Sequence, residues 1–328
     1  MRFSRIKKAA LKTRISYPHK KRSAHLTPPA RQMGLGGGDA GGVQWEMLVI
    51  GPVTTVGEMM MGGHWFEMLK VQRQAGTYPS YFAAAKHMWS ELGFAGFYKG
   101  FWPWGFAQGC YKGLPVLFTQ GEVNRRLQEQ GVEKKTASIA AGVTAGMVQG
   151  AMIAPTQRLK TIVGTNKSAG AVSTDLIAQV IKTEGIMTVF KGTGVMVVRR
   201  GVDWGLRFYG KGLSDQFFLA QKGPGQPKKL TVTESFLSGI FGGAFSGINQ
   251  PLDVWVANCQ KHRPVPLGAG AVLAELVAES RVKGFFAVFF RGIEMRILHS
   301  SYHTAWMAGL GQYIFDTYTA YKHAAPKH

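Results

Sequence analysis

The sequence predicts an all-α integral membrane protein built from three copies of one helical unit of about 95 residues. Three observations carry that expectation. The first is a recurring pattern: Pro155, Gln157 and Lys160 are followed by Glu184-Gly185 and then by Phe190-Lys191-Gly192. Upstream, Trp65, Glu67 and Lys70 precede Gly93 and Tyr98-Lys99-Gly100; downstream, Pro251 and Asp253 precede Gly284 and Phe290-Arg291-Gly292. The starts of the three copies are 90 and 96 residues apart, and their closing glycines 92 and 100 apart. This period is too long for a solenoid unit and too regular for chance. The second observation is composition: 45% hydrophobic residues, only 17% charged ones and 43 glycines, a mixture that suits helices packed closely in lipid. The third is a set of glycine ladders at four-residue spacing, Gly105/Gly109/Gly113, Gly142/Gly146/Gly150 and Gly239/Gly243/Gly247. Such spacing puts small residues on one helix face, where a neighbouring backbone can approach.

Residues 1–42 precede the repeats. Residues 1–33 are basic and acid-free, with Arg2, Arg5, Lys8 and Lys12 along one helical stripe. They suit a matrix-targeting segment, a solvated tail or a docking arm lying on lipid or on a partner subunit. Residues 34–42 form a glycine linker and not a phosphate loop, because no Gly-Lys-Ser/Thr follows. The repeats occupy about 43–130, 131–230 and 231–328. In the first, an odd helix runs over 43–73, an amphipathic surface helix over 81–92, and a second span begins near Phe101. The other repeats restate this order, joined by a Gly/Pro/Lys linker at 221–229. Pro155 and Pro251 each remove a backbone donor and are expected to kink their helices; Trp65 stands at the matching position of the first repeat.

Mean hydropathy is only −0.03. Helices around a water-filled cavity explain this, because cavity-facing positions are then polar. The chain carries 39 basic against 18 acidic residues, and ten of the basic ones lie before Asp39. No recognition helix, zinc spacing or stacking-aromatic motif supports nucleic-acid binding. Contact with anionic lipid such as cardiolipin, and with anionic solutes, explains the charge instead. Cys110 and Cys259 make neither a metal-ligand spacing nor a disulfide framework. His299 and His303 lack both the intervening Glu and the third ligand of a zinc motif, and no nucleophile and base are spaced for catalysis. No cofactor and no enzyme activity are expected.

The P-x-[DE]-x-x-[KR] motif, followed by [DE]-G and aromatic-[KR]-G in triplicate, resembles the mitochondrial carrier family over about residues 43–321. That resemblance implies six tilted membrane helices around a central substrate site, alternately open to the two sides of the inner mitochondrial membrane. It also implies a ring of ion pairs at the matrix end, with Glu67 meeting Lys160 and Asp253 meeting Lys70. The third link would join Gln157 to Val256, and neither carries charge. At the opposite end Glu122 and Arg125 fit the family pattern, whereas the fourth helix offers Gly212 and Asp215 and the sixth Asp316 and Thr319. With Asp215 in place of a base, no closed ring is expected there.

Family substrate contacts lie seven or eight residues after the closing glycine. In this chain the count gives Ala107 with Gln108, Arg199 with Arg200, and His299, with Arg207 near the same face. An arginine inside a membrane span is costly unless it faces water or a partner, and its forked guanidinium suits a carboxylate. An ordinary ion pair of Arg199 with Asp203 and a packed neutral His299 are the plainer alternatives. The stretch Arg199-Arg200 with Arg207-Phe208 is similar to the fourth helix of tricarboxylate and other carboxylate carriers. The resemblance therefore implies a solute carrier for a carboxylate-bearing anion. The degraded charge rings leave a second reading, a carrier-fold accessory subunit of a large membrane complex.

Overall fold

The computed structural model describes residues 47–168, 170, 174–223, 230–262, 267–307, 313, 314, 317, 318 and 321. The basic arm, the glycine linker, most of the 221–229 linker, Asp316 and Thr319 lie outside the described residues. The described chain is helical throughout, with no strand among the described residues.

The first span joins α1 (Met47–Glu58) to α2 (His64–Gln74) through a wide turn at Met59–Gly63, where Met61 and Gly62 leave helical geometry. The surface helix α3 (Tyr81–Leu92) follows, started by the Ser80 hydroxyl accepting from the Ala83 amide. The second span contains α4 (Phe106–Tyr111) and α5 (Leu114–Glu129), preceded by a wide turn at Phe101–Gly105. The third is α6 (Lys134–Thr165), followed by the surface helix α7 (Thr174–Glu184), and the fourth is α8 (Thr193–Ala220). The fifth joins α9 (Val232–Phe245) to α10 (Gln250–Gln260) through a tight turn at Ser246–Asn249. The surface helix α11 (Ala269–Lys283), the short α12 (Phe285–Phe289) and the sixth span α13 (Ile293–Trp306) complete the described order.

Each span packs on the next, α1 on α4, α5 on α6, α6 on α8, α8 on α9 and α9 on α13, and α13 returns to α2. Six spans thus close into a ring. Among the described residues α6 alone is apolar and long enough to read as a membrane span by composition, with a mean hydropathy of 1.4 over its most apolar stretch. The other spans are interrupted or carry the polar groups that face the cavity, which is why hydropathy averaged over the chain is near zero.

The threefold repeat is visible in the backbone. Gly93, Gly185 and Gly284 have φ of 58°, 78° and 92°, and the closing Gly100, Gly192 and Gly292 have 72°, 79° and 86°. Both sets occupy the left-handed region that a Cβ disfavours, so each aromatic-basic-glycine motif ends in the same bend. A Cβ on Gly100 would meet the Lys160 carbonyl oxygen at 3.0 Å, one on Gly192 would meet Cys259 Cβ at 3.1 Å, and one on Gly292 would meet Gln74 Cγ at 3.1 Å. Each copy therefore seats its closing glycine on the odd helix of the next copy, and the third seats on the first.

Cations secure the same junctions by donating to the carbonyls that end a helix, where the helix dipole favours positive charge. Lys99 Nζ donates to the Asn166 carbonyl at 2.5 Å, Arg158 Nη1 to that of Gln260 at 2.9 Å, and Arg291 Nε to that of Gln74 at 2.8 Å. Burial pushes the Lys99 ammonium down to about 8, against the opposing pull of Glu91. Beside these junctions the surface helices make small apolar cores: Ile177 and Val180 pack with Ile162 and Val163, and Val272 and Leu276 with Val254 and Val288.

The glycine ladder of α6 is the tightest seam. A Cβ on Gly142 would collide with the Phe208 ring, one on Gly146 with the Arg200 carbonyl, and one on Gly150 would meet the Met196 carbonyl oxygen at 2.9 Å. Small residues here let α8 approach until its backbone touches α6, and this contact turns Arg199, Arg200 and Asp203 toward the centre. In the first ladder Gly109 is tight against Val56 and Met59 and Gly105 against Phe101, while Gly113 meets nothing within 4 Å. In α9 it is Gly242, just outside the predicted ladder, that touches the Arg207 carbonyl.

The interruptions fall partly where the prolines do not. The helix runs through Pro155 as one continuous segment, whereas Pro251 sits in the first turn of α10, directly after the Ser246–Asn249 turn. The first repeat, which lacks the proline, is broken instead by the wide turn at Met59–Gly63. Proline tolerates a helix start because its missing N–H has no partner there, so the break precedes Pro251.

Candidate functional site: a charged central cavity

The six spans enclose a cavity whose wall includes Glu67, Lys70, Gln108, Gln157, Arg199, Arg200, Arg207, Asp253 and His299. All five residues expected to contact substrate are therefore on this wall, as are three of the four expected gate residues. The fourth, Lys160, is buried beneath it. Further charge comes from Lys112, Asp203 and Arg296. The wall thus carries six cations, Lys70, Lys112, Arg199, Arg200, Arg207 and Arg296, against three anions, Glu67, Asp203 and Asp253.

At one end of the cavity Lys160 Nζ lies 2.7 Å from Glu67 Oε1, the pairing the family resemblance implies. The same ammonium donates to Gln108 Oε1 at 2.7 Å, and Gln108 Nε2 donates to Gln157 Oε1 at 2.9 Å. Gln157 is thus tied to Gln108 of the first copy and not to Val256 of the third. Gln108, 4% exposed, is held in this layer and not aimed freely at the cavity.

Asp253 is not paired with Lys70. Its carboxylate is held by Arg199 and Arg296, and Asp203 accepts from Arg296 Nη2 at 2.6 Å and Arg207 Nε at 3.2 Å. Arg199, Asp253, Arg296, Asp203 and Arg207 therefore form one unbroken ion-pair chain across the fourth, fifth and sixth spans. Arg199 Nε donates to Asp253 Oδ1 and the Arg296 guanidinium lies against Oδ2, so two positive charges flank this carboxylate where one ammonium was expected. The pairing of Arg199 with Asp203 is also displaced, since Asp203 turns to Arg207 and Arg296. Asn249 fixes the chain by donating from Nδ2 to the Arg199 carbonyl at 2.9 Å, and Arg296 Nη2 also reaches the Ser246 carbonyl at 3.0 Å.

This chain leaves Lys70, Lys112 and Arg200 as the wall cations that, among the described residues, enter no ion pair. They come from the first, second and fourth spans and face one space. Arg200 lies against the α6 ladder, and its buried Nε has no hydrogen-bond partner among the described residues. Arg199, by contrast, is occupied.

Two further groups were not singled out by motif counting. Arg296 stands four residues after Gly292, too early for the rule of seven or eight, yet an arginine inside the expected sixth span is itself a signal. Glu58 closes α1, fully buried, 3.4 Å from His303 Nδ1 and 3.9 Å from His299 Nε2. An acid inside the apolar stretch before Met59 was the mark available in the sequence.

At the opposite end the charges pair locally. Arg125 binds Glu122 at 2.9 Å and Glu129 at 2.5 Å, while Lys211 binds Asp215 at 2.6 Å, all within single helices. Asp215 also accepts from the Ser238 hydroxyl. Across the 221–229 linker Lys222 meets Glu234 at 2.9 Å. Among the described residues no ring of ion pairs joins the three copies there. No group of His, Cys, Asp and Glu among the described residues could hold a metal ion.

Residues 132–222 match the family model described as mitochondrial carrier protein. The chain is 27% identical over 282 residues to the citrate/oxoglutarate carrier protein of Saccharomyces cerevisiae (strain ATCC 204508 / S288c), a match covering 82% of this chain and 88% of that protein.

Proposed function

We propose that the chain is a member of the mitochondrial carrier family, as the match over residues 132–222 and the 27% identity to a yeast carrier support, and that it carries a di- or tricarboxylate through its central cavity by alternating access. As a member of that family it is a multi-pass protein of the inner mitochondrial membrane and a transporter in class, not an enzyme. The observation that supports the substrate class is the charge left over on the wall: three cations, Lys70, Lys112 and Arg200, that enter no ion pair among the described residues. Cations held together in a partly desolvated space repel one another, and an anion with carboxylates at both ends relieves that repulsion. The relative's citrate and oxoglutarate are anions of this kind.

The ion pairs supply the barrier. Lys160 with Glu67 closes one end, the matrix end by family resemblance, and the arginine-aspartate chain ties the fourth, fifth and sixth spans just above it. A substrate opens that layer only by binding the open arrangement more tightly than the closed one. Carboxylates that compete with Asp253 and Asp203 for Arg199, Arg207 and Arg296 provide such differential binding. The ends of the cavity differ in kind, since the other end has only local pairs.

Purified protein in detergent is expected to show a rise in unfolding temperature with citrate and 2-oxoglutarate and none with nucleotides or amino acids, because binding to the folded state alone stabilises it. Stabilisation by nucleotides, with none by carboxylates, would overturn the substrate class.

A further inference from the structure

We propose that Glu58, His299 and His303 form a proton-binding site in the cavity wall, so that carriage of the carboxylate is coupled to a proton. This inference rests on the carrier reading given above. Glu58 is fully buried, and neither of its carboxylate oxygens accepts a hydrogen bond of ordinary length among the described residues. Both oxygens instead look toward imidazoles, Oε2 toward His303 Nδ1 at 3.4 Å and Oε1 toward His299 Nε2 at 3.9 Å. Both histidines line the cavity and are partly exposed to it. A buried carboxylate with no lysine or arginine paired to it is compensated directly only by a proton on it or on an adjacent imidazole. The cluster thus has a buried acceptor, two imidazole carriers at cavity distance and a water-facing entry.

Among the described residues the groups that approach Glu58 within ion-pair distance are these two imidazoles and no lysine or arginine. Lys112 from the second span, His64 beyond the wide turn and Tyr302 from α13 lie within electrostatic range of Glu58, while Lys70 and Glu67 act on His299. None of these forms an ion pair with Glu58. The site is also mechanically placed. Glu58 is the last residue before the Met59–Gly63 turn, where the Tyr302 hydroxyl donates to the Met61 carbonyl at 2.7 Å. Gly63 presses its backbone against the Glu58 carboxylate, leaving no room for a Cβ. Gaining or losing a proton here changes the contact between the first and sixth spans, the seam at which the third copy closes on the first.

The test uses the full chain in liposomes loaded with a carboxylate and a pH-sensitive dye, with labelled citrate added outside. Citrate entry is expected to be accompanied by a proportionate change of internal pH, and an imposed pH gradient to drive net accumulation. Glu58→Gln is expected to lower the protons moved per citrate at least tenfold, whatever exchange rate remains. His303→Gln, at a more exposed site, is expected to lower the same ratio and serves where Glu58→Gln does not fold. Citrate exchange by the wild type with no movement of protons overturns the inference and leaves the carrier reading standing. An unchanged proton-to-citrate ratio in His303→Gln and Glu58→Gln does so too. Absence of any carboxylate exchange by folded protein overturns the carrier reading, and this inference with it.

Discussion

Replacing Arg200 by Ala is expected to weaken carboxylate binding by roughly 30- to 4,000-fold, the loss of about 2–5 kcal/mol that follows when one partner of a desolvated, hydrogen-bonded charge pair is removed. Arg200 reaches the cavity from the α6/α8 seam, takes part in no ion pair among the described residues and has an unpartnered Nε. Its guanidinium is therefore available to a substrate without first breaking a bond inside the protein. Arg200→Lys should recover part of the loss, since an ammonium keeps the charge and forfeits the fork. The fold should persist, because Arg200 enters no ion pair among the described residues. Titrating the unfolding temperature against citrate measures both. Equal stabilisation of wild type and Arg200→Ala would remove this residue from the site.

Arg296→Leu is expected to have the largest effect on stability, about 3–5 kcal/mol, because one guanidinium neutralises two buried aspartates. The side chain of Arg296 is 4% exposed, and those of Asp203 and Asp253 are 2% and 4% exposed. Removing the cation leaves Asp253 with Arg199 and the Gln74 amide, and Asp203 with Arg207 at 3.2 Å. The unfolding temperature of the variant without substrate should fall well below that of wild type. Adding Asp203→Asn and Asp253→Asn should restore much of the loss, since the penalty arises from uncompensated charge and not from lost packing volume. A variant as stable as wild type would mean that water, not Arg296, neutralises these carboxylates.

Much of this architecture was legible before the structure. The period in the sequence located the three copies, and the left-handed glycines at 93, 185 and 284 and at 100, 192 and 292 show why it could. A backbone bend that only glycine adopts easily writes itself into the sequence. The α6 ladder was legible for the same reason, as close helix contact tolerates no side chain at Gly146. The pairing of Glu67 with Lys160 followed from the family resemblance, carried over by motif position, and the structure places both side chains together.

The partner of Asp253 did not follow from spacing. Motif counting compares only odd helices, whereas Arg199 and Arg296 enter from even ones and have longer, forked side chains. Which arginine remains free is likewise a property of the whole charge network, so Arg199 and Arg200 looked equivalent in sequence. The break in the first span was hidden because a wide turn at Met59–Gly63, not a proline, produces it. Glu58 and its histidines lie 241 and 245 positions apart in the chain, and only the return of α13 onto the first span brings them together.

The most direct measurement is exchange of labelled citrate by the purified protein in liposomes. A carboxylate carrier with this cavity takes up label saturably, only when the liposomes contain a di- or tricarboxylate, and with at least a tenfold loss in Arg200→Ala. Folded wild-type protein that binds these anions but exchanges none of them would contradict transport. It would leave instead a carrier fold serving as a structural subunit.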